Sequence, residues 1–529
     1  MATAMPVNGD SPPALSGAAF PNLDSTFREA RHLEAATGVA VAILALTLGV
    51  LADRLFFGSR AGVNVLVWNG AMIGSLLVMR RRLGLPVRPL PVACLGGSLL
   101  LSAMVVWRAS DTLQAFNLLA AAALLILAVA LPPGIGLRRL SPLRGFETAV
   151  LGAFELTAGA VAIAMMKCWQ DQAKRFQSRD LQYFARAALI ASILLAIFGG
   201  LFIAADAVIE AEVTKLASID VAAIARHLLL IAVVSWLSAG AFWGFLAVEA
   251  KPAELLVLGE SWRVRTAENA IVLGSLAVLF TAFVLVQLRY LFGGEDVVLK
   301  SVDLTYAQYA RRGFFELVAV AALLLPVLLA LDWARTRTPN AGLVFRGLAA
   351  ILIALLFVIM ASALQRLRIY EEAFGLTETR LYVAVALFWF AAVFAWFLAT
   401  IGRDRRDDFA AGALITAIVA LVVVNMLNPD GFIAASNTHR LSSGKTFDAE
   451  HALSLSADAV PTLISHLDRL ASEDACAVAA GLLQRWPAET NEARSWNFGR
   501  ERAIDAVADN WEMLLAACPP GATSSRPRR

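Results

Sequence analysis

Charged residues are scarce in this chain. Asp, Glu, Lys and Arg make up 16% of its 529 residues, whereas hydrophobic residues make up 59%. An average soluble domain is about one quarter charged and about half apolar. The scarcity therefore excludes an ordinary soluble globular protein and indicates a membrane protein. The net charge of +3 is small, and no basic stripe with interleaved aromatic residues occurs, so we expect no nucleic acid partner.

Cysteine and histidine are also rare, with four and five copies. No CxxC pair, HExxH or GxSxG pattern occurs, which argues against a zinc, redox or hydrolase motif. The stretch SSGKT at 442–446 resembles a phosphate-binding loop, but that pattern requires a glycine where His439 stands. We therefore expect no metal, no cofactor and no nameable catalytic residue. His227 is predicted to be an interhelical hydrogen-bond partner rather than a metal ligand.

Both ends of the chain are polar. Residues 1–35 contain no basic segment followed by an apolar core, so we expect a disordered tail there rather than a cleavable signal peptide. Residues 518–529 are predicted to form a second disordered tail.

The hydrophobic residues fall in blocks of about 20, the length of helix that crosses the hydrocarbon core of a bilayer. The clear blocks are 36–52, 61–79, 91–107, 112–132, 184–205, 223–248, 269–291, 313–331, 345–364, 381–401 and 409–427. A further block, 147–166, is weaker because it contains Glu155 and many small residues. The predicted fold is an all-α, polytopic transmembrane helix bundle of eleven spans, with twelve as the alternative, followed by a small extramembrane helical domain.

We divide the membrane region into 36–183 and 184–428. The first part ends in a segment at 167–184 that mixes aromatic and basic residues, which predicts either an interfacial helix on the cytoplasmic face or a solvated loop. With eleven spans, the connections on the side of the N-terminus carry about twice as many Lys and Arg residues as the opposite ones. Because cytoplasmic loops carry the positive excess, we expect a bacterial inner-membrane protein with its N-terminus inside and its C-terminus outside.

Polar side chains collect at the outer ends of several spans. Ionisable groups at membrane depth are costly and are usually retained where they face a bundle interior, a wet cavity or each other. Besides the lipid bilayer, we therefore predict an envelope protein or a small ligand as a partner on the outer face. The candidate binding residues are Asp206, Arg289, Tyr309, Arg311, Arg312, Glu316, Gln365, Arg366, Arg368, Tyr370, Glu371, Arg380, Asn428 and Asp430. For each Arg and Tyr, interfacial anchoring of a helix end is the alternative.

The connection QRLRIYEEAFGLTETRLY at 365–382 is especially dense in such residues. Arg368 is spaced to pair with Glu371 on one helical face. Gly375 is typical of a helix end, and Thr377 is typical of an N-cap. The stretch therefore predicts a helix, a tight turn and a second helix, with guanidinium groups at the outer boundary of the membrane.

From residue 429 the composition changes to that of a soluble protein. Several stretches show the apolar spacing of helices, so residues 429–517 are predicted to form a small all-helical domain packed on the outer face. Cys476 and Cys518 both lie in this region. In an extracytoplasmic domain they can form a disulfide, and two buried free thiols are the alternative.

Several long stretches, taken together, resemble a known family. In chain order they are FVLVQLRYLFGG, LTYAQYARRGFFELVAVAALLLPVLLALDW, SALQRLRIYEEAFGLTETRLY, NMLNPDGFIAASN, LSADAVPTLISHL and SWNFGRERA. Over approximately residues 184–503 the chain resembles the bacterial membrane family domain of unknown function 4173, which is related to or overlaps with 4153. The resemblance implies a protein of the bacterial envelope, and it implies no substrate, reaction or catalytic residue.

Three functions are consistent with these features. We rank first an envelope scaffold or sensor that binds a partner or ligand on its extracytoplasmic face. The second is a transporter or flippase, although most span centres lack the ionisable residues typical of coupled transport. The third is a membrane-embedded enzyme acting on lipid-linked substrates, in which arginines such as Arg366 and Arg368 hold phosphate. We lean against an enzyme.

Overall fold

The computed structural model describes most of the chain. The described residues are 35–131, 220–246, 264–292, 314–336, 338–403, 405–486 and 493–518, together with residues 152, 156, 157 and 194. Within these ranges the chain is 87% helical and contains no strand, which confirms the predicted all-α class. The predicted tails lie almost wholly outside the described residues.

Ten described helices are long and apolar enough to cross a membrane. They are α1 (Ala35–Phe56), α2 (Val63–Arg82), α3 (Pro89–Trp107), α4 (Asp111–Ala130), α5 (Val221–Leu246), α6 (Thr266–Phe292), α7 (Phe314–Ala334), α8 (Pro339–Phe374), α9 (Glu378–Thr400) and α10 (Phe409–Leu427). Each corresponds to one predicted span, so the polytopic helix bundle is confirmed. The predicted spans at 147–166 and 184–205 lie outside the described residues, apart from the four isolated helical positions named above.

The spans pack as two groups with separate apolar cores. Helices α1–α5 surround a core that includes Leu76, Leu95 and Phe242. Helices α6–α9 surround a second core that includes Leu352 and Phe394. Helix α10 contacts α3, α4 and α9, so it connects the two groups. In a bilayer such cores hold helices together through close packing, because lipid tails are as apolar as leucine.

The helix ends define two sides of the bundle. The α1–α2, α3–α4 and α8–α9 connections lie on the side where the C-terminal helices pack, which we call the junction side. His227, near the start of α5, contacts Asp53 of α1 at 2.6 Å, so α5 begins on the junction side and the predicted interhelical role of His227 is confirmed. Helix α4 ends on the opposite, far side, where Arg88 donates to the Leu131 carbonyl oxygen at 3.1 Å. These are the ends that an eleven-span topology requires.

Six shorter α-helices follow the last span within the described residues. They are α11 (Pro429–His439), α12 (Ala449–Ser454), α13 (Val460–Ser465), α14 (Ser472–Arg485), α15 (Phe498–Asp509) and α16 (Trp511–Ala516). Their core, which includes Val478, also takes in Ala109 and Leu381 from the bundle, so the C-terminal helices share a core with the junction side. Cys476 of α14 and Cys518 after α16 form a disulfide, with their Cα atoms 4.5 Å apart.

Candidate functional site

The carboxyl group of Asp458, between α12 and α13, binds the α3–α4 connection. Its Oδ2 atom accepts hydrogen bonds from the backbone N–H groups of Ala109 at 2.6 Å and Ser110 at 3.2 Å. The Arg108 guanidinium lies 3.9 Å from Oδ1, and the two side chains are only 8% and 4% exposed. Burial raises the pKa of Asp458, while the amide donors and Arg108 oppose that rise. The carboxyl group therefore interacts with donors of the bundle and has little contact with water.

The α3–α4 connection and α4 also form hydrogen bonds with α10, the last span. The Arg108 Nε atom donates to the Asn425 backbone carbonyl oxygen at 2.6 Å. The side-chain amides of Asn425 and Asn117 exchange two hydrogen bonds of 2.9 Å, and both residues are fully buried. These bonds connect α4 to α10 next to the junction, where polar groups in an apolar bundle need each other as partners.

Helix α15 and the residue that caps it contact the end of α3 and the α1–α2 connection. Asn497 caps this helix by accepting from the Arg500 N–H at 3.0 Å, and its amide donates to two carbonyl oxygens at the end of α3, at 2.8 and 2.9 Å. Arg500 donates to the Ala61 carbonyl oxygen at 2.9 Å. A Cβ atom at Gly62 would lie 2.4 Å from the Trp496 carbonyl oxygen, so this contact requires glycine.

The α8–α9 turn is held by α11. Gly375 ends α8 with a φ of +83°, and α9 begins three residues later, which confirms the predicted helix, tight turn and helix. The Asn437 side chain accepts from the Leu376 N–H at 2.7 Å and donates to the carbonyl oxygen of the same residue at 2.8 Å. Arg440 donates to the Glu372 carbonyl oxygen at 3.0 Å. The turn is thus fixed by the residues that follow the last span.

A cavity of about 610 Å³ opens between the bundle and the C-terminal helices. We call it the junction pocket. The α1–α2 connection, the start of α4 and the start of α9 form one wall, and α12, the end of α14 and α15 form the other. Most of its lining residues are polar or charged, and the charged ones are Arg60, Asp111, Glu378, Arg485 and Arg500.

The cationic part of the junction pocket contains three arginines. Burial lowers the pKa of Arg500, nearby Arg60 lowers it further, and Asp111 opposes both effects. Arg485 donates to a backbone carbonyl oxygen after α12 at 3.0 Å. Its guanidinium carbon lies 5.6 Å from the centre of the Trp486 ring, which also lines the pocket. Arg60 and Arg500 are therefore like charges close to one another beside an open cavity.

The acidic part of the pocket begins with Glu378, the first residue of α9. Its carboxyl group lies next to the Thr112 hydroxyl and the carboxyl group of Asp430. Asp430 is fully buried, and its Oδ2 atom accepts from the Ser456 N–H at 3.2 Å. Its Oδ1 atom finds no N–H or O–H donor within the described ranges. The acidic part of the pocket therefore consists of one carboxyl group that lines the cavity and a second that is buried next to it.

Some of the predicted binding residues lie in or beside this junction. Asn428 caps α11 by accepting from the Gly431 N–H and donates to the Asp458 carbonyl oxygen at 3.1 Å. Tyr370, Glu371 and Arg380 gather at the α8–α9 turn. The Arg380 guanidinium lies 4.1 Å from the centre of the Tyr370 ring, and Arg380 and Arg368 both act electrostatically on Glu371.

The other predicted residues do not gather at one site, and several of them lie outside the described residues. Gln365, Arg368 and Glu316 are exposed, and Arg366 is half-buried. Asp206, Tyr309, Arg311, Arg312 and the side chain of Arg289 lie outside what the structure describes. A binding role for the predicted set stays a prediction.

The residues that line the junction pocket were missed by sequence reasoning. Arg60, Asp111 and Glu378 look like ordinary helix-end residues, and Arg485 and Arg500 look like surface residues of soluble helices. One signal could have found this region. The stretches NMLNPDG, LSADAV and SWNFGRER, which carry the family resemblance, all lie at the junction and contain its contact residues.

The chain belongs to the family described as Domain of unknown function (DUF4153), whose model matches residues 95–466. The match begins within α3 and ends after α13, so it both starts and ends earlier than the motifs predicted. It includes Asp458 and the whole α8–α9 turn. No curated protein and no solved structure matches the chain.

Proposed function

We propose that this protein is a bacterial inner-membrane scaffold or sensor that binds a ligand or an envelope partner on its extracytoplasmic face. The observation that carries the proposal is the junction pocket, which bundle residues such as Glu378 and C-terminal residues such as Arg485 line together. A ligand there contacts both parts of the protein. Its binding free energy therefore depends on how the parts are docked, and ligand binding in turn changes the docking.

The proposal includes a relation to family 4173, which the order of the shared motifs supports. It also places the junction side outside the cell. Arg80, Arg81 and Arg82 lie at one far-side helix end and Arg403, Arg405 and Arg406 at another, as expected of a cytoplasmic face. The disulfide between Cys476 and Cys518 supports an oxidising compartment for the C-terminal helices.

Pairing of polar groups inside the spans supports a scaffold. Asn69 of α2 donates to Ser98 and Ser102 of α3 at 3.0 and 2.8 Å. Ser362 of α8 donates to Gln287 of α6. Such bonds hold neighbouring helices in one arrangement, so the bundle provides a fixed base against which the C-terminal helices respond.

A pocket-filling substitution tests the proposal. Hydrogen exchange of α15 is compared between full-length protein in native membranes and protein purified away from its ligand. In the wild type we expect the exchange rates to differ by about fivefold, the lower end of ordinary allosteric coupling. In Ser454→Trp the indole occupies the pocket permanently, so the two preparations should agree.

The matched control is Ser442→Trp, which adds the same ring at another exposed serine on the junction side. It should behave as the wild type does. If the wild-type rates agree in both preparations, or if Ser454→Trp responds as strongly as the control, the pocket does not govern docking.

One observation favours a membrane-embedded enzyme as the second candidate. The carboxyl group of Glu378 shares its cavity with three arginines, the arrangement that holds a phosphate-bearing substrate beside a proton acceptor. If the protein is an enzyme, the wild type should turn over a bound phosphate ester, and Glu378→Gln should abolish the turnover while binding persists. If it is a binding protein, neither the wild type nor Glu378→Gln should show turnover.

A further inference from the structure

We infer that the junction pocket binds the phosphate group of an organic ligand, with Arg60 and Arg500 as its principal contacts. The inference rests on the proposed function and deepens it by naming the ligand class. It stands on the charge of the pocket, the position of its arginines, and its size and apolar wall.

The pocket carries an excess of positive charge. Three arginines face it, whereas Asp111 and Glu378 are its acidic lining residues. A phosphate monoester carries a charge of about −1.5 to −2 at neutral pH, so this excess of positive charge favours its binding.

Arg60 and Arg500 are placed to bind one anion together. Arg500 is fixed by its bond to the Ala61 carbonyl oxygen, immediately after Arg60 in the chain. Arg60 itself is exposed, so its guanidinium can turn into the cavity. The Arg60 guanidinium can give two parallel N–H bonds to a phosphate. Arg500, whose Nη2 atom donates to the Ala61 and Ser495 carbonyl oxygens, can add a bond from Nη1. An anion between them also relieves the repulsion between the two cations.

Two helix N-termini reinforce this preference. Helices α4 and α9, of 20 and 23 residues, both begin at the pocket, where Asp111, Thr112 and Glu378 line it. The N-terminal end of a helix carries a partial positive charge and favours anions. The potential in the pocket therefore has contributions from side chains and from the backbone.

The remaining space calls for an organic group. A volume of about 610 Å³ is typical of sites for small organic molecules and exceeds what a bare phosphate ion fills. Trp486 lines the pocket and is half-buried, so its ring offers a flat surface to a sugar or another ring. The pocket lies at the level of the span ends, so both a soluble organic phosphate and the headgroup of a phospholipid can reach it.

Binding by the full-length protein tests the inference. The protein is placed in phosphatidylcholine nanodiscs and titrated with glucose 6-phosphate, with glucose as the probe that lacks the phosphate. For a soluble ligand we expect saturable binding of glucose 6-phosphate alone. Arg60→Gln should weaken it at least tenfold, whereas Arg54→Gln should change it less than twofold, because Arg54 is also exposed near the end of α1 but does not line the pocket.

A second arm identifies a lipid source. Native mass spectrometry compares how much phosphatidylglycerol the wild type and the two variants retain after detergent exchange. Retention lost in Arg60→Gln and kept in Arg54→Gln, without glucose 6-phosphate binding, supports the headgroup as the source. If Arg60→Gln matches Arg54→Gln in both arms, the inference is overturned. The hydrogen exchange of Ser454→Trp is measured without either probe, so the proposed function can stand or fall independently.

Discussion

Replacing Asp458 with alanine should loosen the C-terminal helices from the bundle. The change leaves the N–H groups of Ala109 and Ser110 and the guanidinium of Arg108 without their carboxylate. Each unsatisfied buried donor costs about 1–3 kcal/mol, and breaking a buried charged pair costs about 3–5 kcal/mol. Arg108 keeps its bond to the Asn425 carbonyl oxygen. We therefore expect the lower end, about 3 kcal/mol of local opening free energy.

Hydrogen exchange of the Ala109 and Ser110 amides in nanodiscs measures this opening. A loss of about 3 kcal/mol corresponds to roughly hundredfold faster exchange. Asp458→Asn keeps one oxygen acceptor and should accelerate exchange roughly tenfold, a loss of about 1.4 kcal/mol. Asp505→Ala removes an exposed carboxylate of α15 and should change little. Rates for Asp458→Ala within about threefold of the wild type, a range that corresponds to under 1 kcal/mol, would refute the reasoning.

Three further outcomes are expected. Asn117→Leu should lower the thermal stability of the bundle in detergent by about 1–3 kcal/mol because it strands the buried amide of Asn425, and adding Asn425→Leu should recover part of that loss; a double variant worse than the sum of the singles would contradict this. Cys476→Ser should cost the C-terminal helices about 2–4 kcal/mol, seen as faster proteolysis, whereas equal proteolysis would mean the disulfide contributes nothing. Because burial raises the pKa of Asp458, the folded state favours its protonated form, and the stability gained from this preference is complete below the ordinary aspartate pKa and is lost as the pH rises through the raised value. The opening free energy at Ala109 should therefore grow on acidification through that window, and Asp458→Asn should remove this dependence.

The membrane bundle could be predicted because its constraints are local. Each span must be about 20 apolar residues long and must satisfy its own backbone, so length and hydropathy locate it without knowledge of its neighbours. The α8–α9 turn could be predicted for the same reason, because a glycine at the end of a helix can adopt the positive φ that Gly375 shows. These features depend on stretches of the chain no longer than a span.

The candidate site could not be predicted in this way because its contacts join distant parts of the chain. Asp458 and Ala109 are 349 residues apart in sequence, and Arg500 and Ala61 are 439 apart. Arg368, near the end of α8, and Arg60, in the α1–α2 connection, look alike in sequence. Only packing shows that the first is exposed on a helix and the second lines a cavity.

The amino-acid sequence by itself determined that this is an all-α protein of many spans, where most of those spans lie, and that a helical region follows the last of them. The tertiary structure alone decided which polar residues meet, because the C-terminal helices return to the bundle and close the junction pocket against it. A span is determined by the hydropathy of its own residues, whereas the partner of a buried charge depends on every helix that packs around it.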